Sequence, residues 1–200
     1  MSKVTFELPN YSVEQIKKEY YLNDLCVADT AQIENIAITI QSLYVYHSIL
    51  MSGNYPRTIE ASLCRTIIIM SYSILEAIVV SLGYKIQTNC INCKRRCPNH
   101  SVSMFSEKET YKNELKAFKN SDEFLTKIKI INLTNQARNY YNHFRDNRNN
   151  VHLARNANVI SKDDNFTKKE CNVAIEFLQG FIKLLQDNYF EYINFYKCGK

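Results

Sequence analysis

Glycine and proline are scarce in this chain, with 4 and 3 among 200 residues, and tryptophan is absent. A turn-rich β sandwich needs far more turn residues than this, so the shortage predicts long helices joined by few loops. It also leaves no glycine-rich phosphate loop of either common kind, which speaks against nucleotide-dependent chemistry. No charge dominates. The 25 Lys and Arg against 20 Asp and Glu leave a formal charge of +5, a mild basic excess that suits a polyanionic partner. Met1 to Asn10 carry no apolar signal core, so a cytoplasmic location is expected. In that compartment the 7 cysteines read as thiols or metal ligands rather than disulfides. The strongest apolar run is Ile67 to Leu82, flanked by Arg65 and interrupted by Glu76. It falls short of the ~20 clean residues a span wants, so a buried core helix and no membrane partner are expected.

What is present is helical periodicity. Val4, Phe6 and Leu8 alternate with polar residues, which permits a short strand or an extended arm. Ser12 and Gln15 then form a capping-box pattern for a small helix. The first long helix is expected over about Ala31–Met51, behind Asp29 or Thr30 as cap. Its stripe is Ile33, Ile36, Ala37, Ile40, Leu43 and Tyr44, and His47 continues it as a core histidine. Ser52 to Pro56 reads as a turn. A second long helix from about Thr58 to Leu82 is apolar on most of its circumference and takes the centre, with Gly83 placed to end it in a left-handed cap. Residues 84–105 break the pattern. Helical character resumes at Ser106, near Ser121, and over Asn135 to about Asn147, where Ala137, Tyr140, Tyr141 and Phe144 share a side. Asn147, Asn149 and Asn150 should fray that helix. Thr167 and Glu170 cap a last helix that runs to about Tyr196 on Ala174, Phe177, Leu178, Phe181, Leu184 and Leu185. The expected fold is all-α: a four- to five-helix bundle over 29–196, preceded by an N-terminal arm and short helix over 1–28, with 84–105 inserted as a loop.

That loop holds Cys90, Cys93, Cys97 and His100, four soft or borderline ligands within eleven residues. Zinc takes a tetrahedral set of this composition, and a short loop can wrap it, so structural zinc is the expected cofactor. A free-thiol loop, or a fourth ligand drawn from elsewhere than His100, are the alternatives. Lys94, Arg95 and Arg96 stand between the ligands, where such a loop can present them to the phosphates of RNA. The remaining cysteines, Cys26, Cys64, Cys171 and Cys198, fall among helical patterns and read as small core or surface residues.

The most specific feature is Arg145-Asp146-Asn147-Arg148-Asn149-Asn150-Val151-His152, an R-x6-H pattern with a polar residue directly after the arginine. It stands at the end of one helix and ahead of a long C-terminal one. This resembles the HEPN superfamily, whose active-site motif is R-x4-6-H in that topological place. The stretch Ser71 to Ala77, apolar with the single acid Glu76, is similar to a segment these bundles carry. The resemblance implies a metal-independent endoribonuclease, a toxin or antiphage effector, with Arg145 and His152 catalytic at the interface of a homodimer. Asp146, Arg148, Asn149 and Glu76 are the supporting candidates, and an antitoxin or regulatory protein is a further expected partner. The chain departs from one large subset at Ala154, where that subset has a tyrosine modified by a nucleotidyltransferase.

The chemistry agrees with the residue types. RNA cleavage by its own 2′-hydroxyl needs proton transfer and an offset for charge growing on phosphorus. Histidine moves protons near neutrality. Arginine gives phosphate a planar fork of donors and a permanent charge. On an unbroken helix, seven residues advance about 10 Å, too far for one phosphate. A break in the asparagine-rich stretch, or a second copy across a twofold axis, would gather the groups. A non-catalytic HEPN-like scaffold that binds RNA or protein, and a zinc-loop nucleic-acid-binding regulator, are the competing functions. His143 reads as polar surface.

Overall fold

A computed structural model describes residues 11–25, 30–91, 139–146 and 166–197, and all the regular structure among them is helical. Two short helices, α1 (Val13–Glu19) and α2 (Leu22–Leu25), precede three long ones: α3 (Thr30–Ser52), α4 (Arg57–Ile91) and, after the segment α5 (residues 139–146), α6 (Lys168–Lys197). The expected strand or arm over residues 4–8 and the helices expected near 106 and 121 lie outside the described residues.

The local signals act as their chemistry dictates. Ser12 caps α1 in a reciprocal box: its hydroxyl accepts from the Gln15 N–H at 3.2 Å, and the Gln15 amide oxygen accepts from the Ser12 N–H at 2.9 Å. Tyr21, at φ 51°, turns the chain from α1 into α2. These two helices join the bundle, with Ile16, Leu22 and Leu25 fully buried in the same core as α3. The α3 stripe is as spaced: Ile33, Ile36, Ala37, Ile40 and Leu43 are buried, and Tyr44 packs at its edge. The turn into α4 closes tightly at Gly53, where a Cβ would stand 2.8 Å from the Tyr55 ring. At the start of α4 the Pro56 carbonyl accepts the Ile59 and Glu60 N–H groups.

One boundary differs from expectation. Gly83 does not stop α4, which continues eight residues further to Ile91, and no described glycine has positive φ. A glycine inside a helix costs about 1 kcal/mol relative to alanine, a penalty that stops nothing by itself. Tyr84 to Asn89 contain no proline to add to it. The expected loop over 84–105 is therefore helical as far as Ile91, and Cys90 belongs to the last turn of α4.

The central helix is α4. Its Arg57–Val79 portion is long and apolar enough to cross a membrane. Here it carries Ala61, Cys64, Ile67, Ile68, Tyr72, Ile74, Leu75, Ile78, Val79 and Leu82 into the core, against α3 and α6. Helix directions follow from paired side chains. Glu60 meets Lys168 and Cys64 meets Cys171, so α4 and α6 run parallel. His47 meets Asn172 while Tyr44 meets Gln179, so α3 runs against α6. Tyr141 stacks on Phe181 and Phe144 packs on Phe177, so α5 also runs against α6. One end of the bundle thus gathers the starts of α4 and α6 with the finishes of α3 and α5.

Candidate active site

Polar and charged side chains concentrate at that end. Lys168 reaches Glu60 at 3.5 Å and donates to the Gly53 carbonyl at 3.2 Å, which ties the start of α6 to the turn before α4. His47 Nε2 lies 2.8 Å from the Asn172 amide oxygen, so this half-buried histidine is a structural bond between α3 and α6. The Arg65 guanidinium stands 4.8 Å from the centre of the Phe166 ring. Thr167 caps α6 by accepting the Glu170 N–H at 3.3 Å, as its spacing predicts.

Arg145 belongs to this end. The segment α5 is seated by Tyr141, fully buried between Tyr72 of α4, edge-on at 5.4 Å, and Phe181 of α6 at 5.8 Å. Phe144, buried one turn from Tyr141, locks the same face onto Phe177. Arg145 follows at the end of α5 with about a quarter of its side chain exposed, and both Nε and Nη2 lie 3.3 Å from one Asp146 carboxylate oxygen. The sequence left Asp146 between pairing with Arg148 and orienting the site. In the structure it meets Arg145.

Glu76 and Arg145 branch from different levels of the bundle. Because α5 runs against α4, one turn beyond the Tyr72–Tyr141 contact leads Arg145 toward the start of α4, while Glu76 lies one turn the other way. Eight residues of rise, about 12 Å along the axis, separate their levels. Glu76 is half-buried on α4.

His143, read from sequence as polar surface, is exposed and also has a partner across the helices. Its Nε2 lies 3.5 Å from a Glu170 carboxylate oxygen, and its ring meets Phe144 edge-on at 5.5 Å. The pair borders a groove of about 360 Å³ between α5 and α6, together with Tyr140, Phe144, Thr167 and Lys169. No short motif announces this pair, since its members stand 27 residues apart in the sequence; the antiparallel packing of α5 on α6 creates it.

Two thiols meet deeper in the same end. Cys64 and Cys171 are wholly buried and neighbour each other. Burial pushes both thiols up from their ordinary range. Of the core and surface readings that the sequence leaves open, both take the core.

The remaining expected site residues fall elsewhere. Arg148, Asn149 and His152 lie outside the described residues, as do Cys93, Cys97, His100 and the basic run Lys94, Arg95 and Arg96. The described residues on either side of 147–165, Asp146 and Phe166, both stand at the polar end. Cys90 is placed by its backbone in the final turn of α4. Among the described residues no three His, Cys, Asp or Glu side chains are grouped to hold a metal. No protein-family model, curated protein or solved structure matches this chain.

Proposed function

We propose that the chain is a metal-independent endoribonuclease of the HEPN type, a toxin or antiphage effector that cleaves RNA to 2′,3′-cyclic phosphate and 5′-hydroxyl ends. The observation that carries the reading is Arg145. It is held against Asp146 on a helix seated by two buried aromatic residues, Tyr141 and Phe144, and it precedes His152 by seven residues in the sequence. In this mechanism Arg145 binds the scissile phosphate and offsets charge growing in the transition state. His152 takes the proton of the 2′-hydroxyl or gives one to the leaving 5′-oxygen. The site is composite: two copies related by a twofold axis contribute two Arg–His pairs.

Zinc bound by Cys90, Cys93, Cys97 and His100 is the structural element of the proposal. The thiolate and imidazole donors suit it, and they lie within eleven residues of the sequence. The metal has no part in the cleavage step.

The test is EDTA-treated protein incubated with single-stranded RNA and DNA, followed by end-group analysis. Cleavage of RNA alone, with cyclic phosphate ends and loss of activity in His152→Ala, is the expected result. Activity unchanged in His152→Ala, or strictly dependent on added magnesium, overturns the mechanism and leaves a non-catalytic RNA- or protein-binding scaffold. Light scattering on active protein examines the twofold assembly, and full activity in a stable monomer refutes it.

A further inference from the structure

The α5–α6 groove combines three features that a nucleotide needs. The first is an aromatic platform. Tyr140 keeps 36% of its surface exposed. Behind it, Phe144 lies stacked at 6.2 Å with an interplanar angle of 16°, and Phe177 lies at 6.2 Å. A ring braced on a core in this way loses little freedom when a base stacks on it, and stacking tolerates any base because every base has a π face. The second is a set of donors at the rim: the positive charge of the exposed Lys169 beside the exposed His143 ring, both suited to phosphate oxygens. The third is a hydrogen-bonding wall. Thr167 and the Glu170 carboxylate face the same space, and Glu170 Oε2 is buried without a hydrogen-bond partner in the protein.

Location adds to chemistry. Tyr140, His143 and Arg145 occupy two turns of one helix, and five residues of rise put Arg145 about 7.5 Å along the axis from Tyr140. That is the scale of one nucleotide step. An anionic protein ligand would find Lys169 but would leave the stacking face unused. A simple apolar partner would have to bury His143, Lys169 and Glu170, which is costly without compensating bonds.

We propose that this groove is a nucleotide-binding subsite for single-stranded RNA, in which Tyr140 stacks a base adjoining the scissile phosphate and His143 and Lys169 hold a neighbouring phosphate. The role of the base as substrate rests on the ribonuclease reading; its binding does not. Glu170 holds His143 from the α6 side and fixes the groove wall, so it is a positioning residue.

The experiment is fluorescence anisotropy with a short labelled single-stranded RNA of mixed sequence in which every 2′-hydroxyl is methylated, so that it binds but cannot be cut. Tyr140→Ala should weaken binding about 5- to 150-fold, the span of one lost base stack. Tyr140→Phe should restore it, and Tyr140→Leu, which keeps bulk without the π face, should not. Lys169→Ala should weaken binding and lower the slope of log affinity against log salt by about 0.7, the share of one phosphate contact on a single strand. Circular dichroism and unfolding midpoints establish that each variant folds, and Tyr140→Phe covers the case in which the alanine does not. Wild-type affinity in Tyr140→Leu together with an unchanged salt slope in Lys169→Ala overturns the subsite, even where His152→Ala still abolishes cleavage. Binding that depends on Tyr140 in a protein that cuts no RNA supports the subsite and fails the nuclease reading instead. No binding by the wild type overturns the subsite.

Discussion

Arg65 of α4 covers the ring of Phe166, with the guanidinium carbon 4.8 Å from the ring centre, and Phe166 immediately precedes the residue that caps α6. The contact fixes the point at which the 147–165 segment returns to the bundle. Phe166 is also buried, at 6% exposure. Phe166→Ala should therefore lower stability by about 3–5 kcal/mol, the usual cost of emptying a buried phenylalanine site. Phe166→Leu keeps most of the volume and should lose mainly the cation–π component, about 0.5–2 kcal/mol. Urea unfolding of the two variants separates these parts. Equal midpoints for both and the wild type would mean that the contact anchors nothing.

Cys64 and Cys171 should be silent toward a thiol reagent while the protein is folded. The thiolate is the reactive form, and burial disfavours it at both positions while also blocking access. Labelling with iodoacetamide at neutral pH, followed by peptide mapping, should find both residues unmodified in native protein and fully modified in urea. Native labelling of Cys171 at the unfolded rate would contradict the packing of α4 on α6.

Tyr20 gives the fold an alkaline limit. Its hydroxyl is buried, which pushes its pKa up, and it shares a hydrogen bond with the Tyr44 hydroxyl, which also accepts from Gln179 at 2.9 Å. The folded state holds the Tyr20 proton more tightly than the unfolded chain, where the phenol titrates at about pH 10. Raising pH through that value ionises the unfolded chain first and draws the equilibrium toward it. The contribution is fully present below about pH 10 and is lost above it, and the two raised thiols act in the same sense from about pH 8.5. The unfolding midpoint should accordingly fall between about pH 8.5 and 11, and Tyr20→Phe should flatten the upper part of the decline. A midpoint constant over that range would count against the buried phenol.

Much of this architecture was legible in the sequence because its signals are local. The Ser12–Gln15 box, the Thr167 cap and the α3 and α6 stripes each depend on residues three or four apart, and each appears where the spacing puts it. Gly83 misled because a single glycine penalises a helix only slightly, and no proline follows it to add to the penalty before Ile91. His143 shows the other limit. Pairing between helices depends on their direction and register, which single-helix periodicity does not contain. The antiparallel seating of α5 on α6 brings the exposed His143 to Glu170 at the groove wall.

Purified, reduced protein should carry about one zinc per chain. The donor set of Cys90, Cys93, Cys97 and His100 motivates this. Removal by a chelator should leave RNA cleavage chemistry intact wherever the fold survives, since the metal lies outside the proposed reaction. Inductively coupled plasma analysis settles the stoichiometry. A metal-free sample with native circular dichroism and full activity would remove zinc from the proposal.

The contact between Arg145 and Asp146 separates a reacting group from one that positions it. Both residues lie on α5, but Asp146 is 63% exposed, and its 3.3 Å contacts with Arg145 lie in a solvated setting. Exposed pairs of this kind contribute about 0.2–1 kcal/mol. A donor to a developing oxyanion is worth about 10²–10³ in rate when lost. Arg145→Ala should therefore lower kcat by about 10²–10³-fold. Arg145→Lys should recover only part of that, because an ammonium keeps the charge but not the planar fork. Asp146→Asn should lower kcat by less than about fivefold with KM nearly unchanged, since the amide can still steer the guanidinium without its charge. Single-turnover cleavage with each variant distinguishes these outcomes from a binding defect. Should Asp146→Asn silence the protein as fully as Arg145→Ala, the carboxylate itself would have to touch the reacting atoms, and the division of labour argued from its exposure would be wrong.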